Sequence, residues 1–383
     1  MPAAGTLDDR VRLYLAGHEI PITISYEVQR AVLTQPSTFS ARLGWGGVTK
    51  NLLSVLVPGT PFELKINDAL MFTGVLDKRG ASGDTGATTL AIYGRDSLAP
   101  LHDAFITEEK DYSDYTYADL VDAALQVTID RSYAVVYSNA ANRKLTTGVG
   151  IPSDPDAPSQ QTKKAKRALK SHIGERWYEF VKRELDRAGL FLWAGADGNY
   201  ILSAPKTDQA PAYRILRRRG ETRNAVSVTS ASFNDDTVGR YTEAVLFGGG
   251  GGRKLGHAKI KGTQTDAEMV SYGFKRPLVI RDAHVSTPEQ AEFFARRKLA
   301  ETRRAGWALS YTVSGHTIPS LLDSGARATW CPDTMVNVQD EEFGIEGDFY
   351  IEKVVYRRSP ATTCDLTLSR PADLVFGKLE SEQ

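Results

Sequence analysis

Asp333-Thr334-Met335-Val336-Asn337-Val338-Gln339-Asp340, Gly347-Asp348-Phe349-Tyr350-Ile351-Glu352-Lys353-Val354-Val355-Tyr356 and Thr363-Cys364-Asp365-Leu366-Thr367-Leu368-Ser369-Arg370 decide the reading of this chain. Each piece alternates apolar and polar residues over much of its length, the period of a half-buried strand. Loops of Gly, Asp, Ser and Pro divide them, so together they read as a three-strand meander. The same order occurs upstream. Phe62–Asp68 leads to Leu70–Leu76, and after a glycine-rich loop comes Thr88–Arg95. Each copy runs strand, acidic turn, strand, flexible loop, then a strand that begins at Thr and ends at Arg. Phe62, Leu64 and Ile66 answer Met335, Val336 and Val338, while Leu90 and Ile92 answer Leu366 and Leu368. A sheet unit used twice in one chain implies two like modules.

Outward from these units the pattern changes. Val11, Leu13 and Leu15 alternate, as do Ile20, Ile22 and Ile24, with Ala16-Gly17-His18 between them as a hairpin turn. Phe39, Ala41 and Leu43 suggest a third strand, and Pro58-Gly59-Thr60-Pro61 turns the chain into the first meander. Past Arg95-Asp96, Thr116 caps a helix through Tyr117, Leu120, Val121 and Leu125, with Asp119 at the capping-box position. Residues 139–170 are poor in apolar side chains and end in a basic run, Lys163-Lys164-Ala165-Lys166-Arg167, which reads as an exposed loop and a solvated face. Trp177, Phe180, Val181, Leu185 and Ala188 form one helical stripe closed by Gly189. Leu190–Trp193, the turn Asp197-Gly198 and Tyr200–Leu202 follow as a hairpin. Ala225–Val228 and Thr242–Phe247 read as strands. Thr287-Pro288-Glu289-Gln290 opens a helix with the stripe Ala291, Phe294, Ala295 and Leu299, ended by Gly306. Its basic residues, Arg296, Arg297, Lys298, Arg303 and Arg304, read as solvated or subunit-facing. Tyr311–His316 resumes strand.

At 383 residues the chain is long enough for two to four domains. Lys plus Arg equals Asp plus Glu at 47 each, so bulk charge gives no reason to expect nucleic acid or an anionic membrane. No apolar run approaches the ~20 residues of a membrane helix. The first ten residues lack the basic segment and apolar core of a secretory signal. Cys331 and Cys364 cannot build a disulfide framework. They read as two thiols in a reducing cytoplasm, with a single bridge as the alternative.

Motifs for chemistry are missing. There is no His-Glu-x-x-His pair, no Cys-x-x-Cys and no Gly-x-Ser-x-Gly elbow. Gly248–Gly252 is followed by Arg253-Lys254-Leu255, which fits neither a phosphate loop nor a dinucleotide fingerprint. It reads as a flexible tip. The carboxylates are numerous, but nothing selects a glycosidase-like pair. Arg95-Asp96 and Glu175-Arg176 are the most tempting charges, and both read as salt bridges or strand-end hydrogen bonds. No catalytic, cofactor-binding or metal-ligating residue is assigned.

Ala91-Ile92-Tyr93-Gly94-Arg95-Asp96-Ser97-Leu98-Ala99-Pro100-Leu101 resembles a strand end of the baseplate hub proteins of Mu-type contractile phage tails, the late control D or tail hub family. Gly174–Leu202, Arg276-Pro277-Leu278-Val279 with the Gln290–Ala305 helix, Val313-Ser314-Gly315-His316, Trp330-Cys331-Pro332-Asp333-Thr334 and Phe349-Tyr350-Ile351 follow in the family's order. Ser113-Asp114-Tyr115 and 139–170 fall outside the match. The resemblance implies an α+β, mainly β chain with two tube-like antiparallel β-barrel domains and two smaller α/β domains. These are assigned to 1–96 and to 206–246 with 308–371, beside an α+β domain at 97–205 and an outer domain at 247–307 with 372–383. It also implies a non-enzymatic homotrimer that joins a threefold central spike protein to a sixfold tail tube or tube-initiator protein. A tape measure protein and baseplate wedge proteins are further implied partners, membrane and specific nucleic acid are not, and no cofactor is implied. The implied location is the virion tail baseplate, after assembly in the host cytoplasm. A peptidoglycan-degrading hub enzyme, a type VI secretion spike subunit and the hub of a headless, bacteriocin-like tail are the alternatives.

Overall fold

Alternation becomes pairing in the computed structural model, which describes residues 9–22, 24–33, 36–44, 54–83, 88–129, 132–138, 169–219, 228–249, 260–282, 285, 287–322 and 326–374. The N-terminal strands are β1 (Val11–Leu15), β2 (His18–Ile20), β3 (Ser25–Ala31), β4 (Thr38–Gly44), β5 (Pro61–Ile66), β6 (Ala69–Gly83) and β7 (Thr88–Asp96). Ala16 and Gly17, both at positive φ, turn β1 into β2. The second strand stops at Ile20 instead of running to Ile24, because Pro21 has no N–H to continue the ladder. β3 carries its own alternation, with Tyr26 and Val28 buried, and was not anticipated.

The helical module follows: α1 (Ala99–Asp103), α2 (Tyr117–Thr128), β8 (Val135–Tyr137), α3 (Trp177–Ala188), β9 (Phe191–Ala194) and β10 (Tyr200–Ser203). The Thr116–Asp119 capping box is complete in both directions. Gly189 ends α3 in the left-handed region at φ 69°, where a side chain would be strained. Trp177, Phe180, Val181 and Leu185 meet Leu120, Val121 and Leu125 of α2 in one apolar cluster. The segments 139–168, with the basic run, and 250–259, with most of the glycine-rich tip, lie outside the described residues, as do 375–383.

The second half holds β11 (Tyr213–Arg217), β12 (Val228–Asp235), β13 (Glu243–Gly248), β14 (Lys261–Thr265), α4 (Ala267–Ser271), β15 (Pro277–Asp282), α5 (Pro288–Gly306), β16 (Trp307–Ser314), β17 (Thr317–Pro319), β18 (Arg327–Thr329), β19 (Thr334–Asp340), β20 (Ile345–Arg358) and β21 (Thr362–Ser369). β13 forms as expected, but it pairs with β14 and β15 in a separate three-stranded sheet. Ala291, Ala295 and Leu299 of α5 cover that sheet. The helix comes so close that a Cβ on Gly262 would stand 2.2 Å from the Ala291 carbonyl carbon, so only glycine fits there. Thr287 caps α5 by accepting from the Gln290 N–H. Arg297 is not on a solvated face: it is buried, with Asp186 at 3.2 Å and Glu301 at 3.1 Å.

Thirteen strands form one large sheet. The order β3-β4-β7-β6-β5 in the first half matches β12-β16-β21-β20-β19 in the second, and every neighbouring pair is antiparallel. The chain is therefore mainly β and contains one five-strand unit twice. Each unit has a bulge in its long strand, at Asp77 between Leu76 and Lys78 and at Glu352 between Ile351 and Lys353. Aligning the bulges makes Lys78 answer Lys353 and Phe62 answer Val336. Leu90 and Ile92 then answer Cys364 and Leu366, two residues earlier than alternation alone suggests. A shift of two leaves every side chain on the same face, so the pattern cannot detect it.

The two units join edge to edge. β20 carries β21 along one edge, while its other edge pairs first with β19, Ile345–Ile351, and then with β3, Lys353–Arg358. The pairing path ends at β2, β11 and β12, and no closed barrel forms among the described residues. The expected barrels are instead two halves of one open sheet, because β3 passes its free edge to β20 rather than back to its own unit. A single apolar core runs beneath both halves.

Candidate assembly interface

The joint between units is braced from inside. The Tyr26 hydroxyl of β3 and His316 Nε2 share a 2.7 Å hydrogen bond. Asp9 accepts from the His316 N–H and from the Thr317 hydroxyl. Tyr356 of β20 lies edge-on to the His316 ring and donates to the Trp330 carbonyl. His316 is fully buried, and that burial lowers its pKa to about 4, so the ring is neutral at neutral pH. On the outer face Arg357 and Glu27, directly opposite in the ladder, pair at 2.8 Å.

The tempting charge pairs prove to be braces as well. Arg95 reaches Asp77 at 2.7 Å and Asp103 at 2.7 Å, tying the β6 bulge to α1. Its guanidinium hydrogen bond lowers the pKa of Asp103. Asp96 accepts from the Ser37 and Leu98 N–H groups, yet burial still raises its pKa to about 6. Glu175 pairs with Arg183 rather than Arg176, whose guanidinium lies 5.3 Å from the Phe105 ring centre. His102 stacks on Tyr178 with its pKa lowered to about 4 by burial. Cys331 and Cys364 are both free thiols. Among the described residues no group of three or more His, Cys, Asp or Glu side chains is placed to hold a metal ion, and no helix is long and apolar enough to cross a membrane.

Besides the outer sides of the end strands β2 and β11, two longer stretches of sheet edge stand open among the described residues. The second half of β6, from Lys78 to Gly83, is exposed, and among the described residues only β7 pairs with it. The sequence placed a flexible loop there, since Asp, Lys, Gly and Ser carry no strand pattern. Lys78 Nζ lies 4.9 Å from the Tyr93 ring centre, and Arg79 donates to the Leu56 carbonyl at 2.9 Å. The other open edge is β12, paired with β16 on one side only. It runs Val228–Asp235; of the expected strand Ala225–Val228, residues 225–227 lie outside the described residues. Only Phe233, itself 38% exposed against Trp307 and Phe343, hints at a strand.

β12 ends at a rigid anchor. Arg240, fully buried, contacts Asp235 at 3.4 Å, Asp266 at 3.3 Å and Glu268 at 2.6 Å. Asp266 is itself buried and caps α4, so the outer sheet and the end of β12 are held by one cation. Among the described residues the outer sides of these two strands have no ladder partner, and one edge is cationic while the other is acidic at its end. Such edges bind other strands.

No protein-family model and no curated protein sequence matches this chain. Solved structures do. The 43 kDa tail protein of prophage MuSo2 from Shewanella oneidensis superposes with a TM-score of 0.73 at 18% identity, over 95% of this chain and 99% of that one. A tail protein from Neisseria meningitidis MC58 gives 0.72 at 19% identity, over 95% and 98%. The E. coli protein c3393, a component of the type VI secretion system described as similar to the T4 tail proteins gp27 and gp5, gives 0.50 at 10%, over 94% and 77%. From the repeated five-strand unit to the inserted outer sheet, this chain has the fold of phage tail proteins.

Proposed function

We propose that the chain is the baseplate hub of a contractile tail, a homotrimer that adapts a threefold central spike to a sixfold tail tube. One observation carries this reading: the five-strand order occurs twice, and the two copies sit side by side in one sheet. Three such chains present six like units around a threefold axis, so a trimer offers a sixfold partner equivalent contacts. The spike protein would meet the threefold face, and a tube or tube-initiator protein the ring of repeated units. The tape measure and baseplate wedge proteins are the remaining proposed neighbours. In this reading the first unit lies within 1–96 and the second within 206–246 and 308–371. β13 is grouped with the outer module because its ladder partners are there. The proposed site of action is the virion tail, assembled in the host cytoplasm.

We read the role as structural rather than catalytic. The buried His316 and the strongest ion pairs brace the fold, and among the described residues they converge on no open site. Clearing of peptidoglycan in a zymogram would overturn this part. The hub reading is tested by light scattering on the full chain across a concentration series, with and without its spike protein. A trimer is expected in at least the second condition. A monomer or dimer in both refutes the adaptor.

A further inference from the structure

The chain makes one joint internally, β3 on the second half of β20, and it carries the two halves of the same joint again on its open edges. The second half of β6 answers the second half of β20 through the shared bulge. β12 answers β3, because Tyr26 lies opposite Ala41 and Ala231 opposite Tyr311, while Ala41 and Tyr311 lie opposite the matched residues Ile92 and Leu366. We infer that β12 of one protomer pairs antiparallel with the second half of β6 in the next, in the register that β3 takes on β20.

Transferring that register fixes every opposition. Within the chain, Lys353 faces Ala31, Val354 faces Arg30, Val355 faces Gln29 and Tyr356 faces Val28. Between chains, Lys78 then faces Asp236, Arg79 faces Asp235, Gly80 faces Asn234, Ala81 faces Phe233, Ser82 faces Ser232 and Gly83 faces Ala231.

The chemistry at those positions was not used to derive them, and it fits. Two cations meet two carboxylates at one end, as Arg357 meets Glu27 in the internal joint. The half-exposed Phe233 meets the small Ala81, flanked by Gly80 and Ser82, so the bulky partner simply sits on the opposite strand from Tyr356. A slip of one residue would set Phe233 on the wrong face, and a slip of two would separate a cation from its carboxylate. The contact is head-to-tail, with different surfaces on the two protomers, so it closes only as a ring. That the ring has three members rests on the proposed hub function; the strand pair and its register do not.

Cysteine pairs test it on the full chain. Gly80 has open space where a Cβ would project, and Asn234 is exposed, so Gly80→Cys and Asn234→Cys leave the fold intact. Facing residues in a ladder lie within disulfide reach, whereas positions two residues out of register do not. The double variant, oxidised with diamide, is expected to run as covalent closed oligomers on a non-reducing gel. The wild type and a Gly80→Cys, Ser232→Cys double variant are expected to stay uncrosslinked. Oligomers by light scattering without a crosslink in the matched pair overturn the seam and leave the hub reading standing. A crosslink in the offset pair rather than the matched one overturns the register. A chain that is monomeric at every concentration, with and without its spike protein, and uncrosslinked, sinks both.

Discussion

Replacing Phe62 by Ala tests the repeated unit at its tightest point. Phe62 is 1% exposed, with ring centres 5.1 Å from Phe39 and 5.4 Å from Phe72. Its ring covers two glycines. A Cβ on Gly94 would stand 2.5 Å from Phe62 Cε1, and one on Gly74 3.0 Å from Cζ. The second unit distributes the same volume differently, with Val336 answering Phe62, and Phe349 and Leu368 answering Gly74 and Gly94. Truncating a buried Phe to Ala costs about 3–5 kcal/mol through lost transfer energy and the cavity left behind. Here the neighbours beneath the ring have no side chains with which to collapse, so a value near the top of that range is expected. Guanidinium denaturation, followed by fluorescence of Trp307 and Trp330 in the shared core, measures it as a fall in midpoint at unchanged slope. Phe62→Leu should recover more than half of the loss. A loss below about 1 kcal/mol in Phe62→Ala, accompanied by failed assembly, would place the ring at a partner surface and refute the packing argument.

Arg240→Ala strands the buried Asp266 without its cation, and breaking such a pair costs about 3–5 kcal/mol; an unchanged thermal transition would mean that water already solvates the cluster. His316 provides a pH test. Its pKa is lowered from 6.5 in the unfolded chain to about 4, so its contribution is fully present above 6.5 and is lost as pH falls towards 4. The stability difference between wild type and His316→Gln should shrink across that window. Asp96, whose raised pKa acts in the opposite sense, is common to both proteins and cancels. A difference constant from pH 7 to 4 would show that the ring is not held neutral.

How much was legible follows from what each signal encodes. Both meanders, β5–β7 and β19–β21, were readable, because alternating burial writes itself into alternating side chains. The helices at Thr116, Trp177 and Thr287 were readable because caps and stripes are local. β12 was largely missed because its open edge requires no apolar side chains. The second half of β6 was read as a loop for the same reason. Arg297 was read as solvated or subunit-facing because a sequence cannot tell that Asp186, from another helix, is brought to meet it.

The sequence by itself determined the mainly β character, the doubled unit and the face that each strand buries, since these depend on residue type at short spacing. Only the tertiary structure decided which strand each edge meets, and in what register. The pairing of β3 with β20 joins residues more than three hundred positions apart through backbone hydrogen bonds that any side chain permits. Partner choice in a sheet is therefore settled by the packing of whole units, and the open edges of β6 and β12 were visible only once the other strands had been paired.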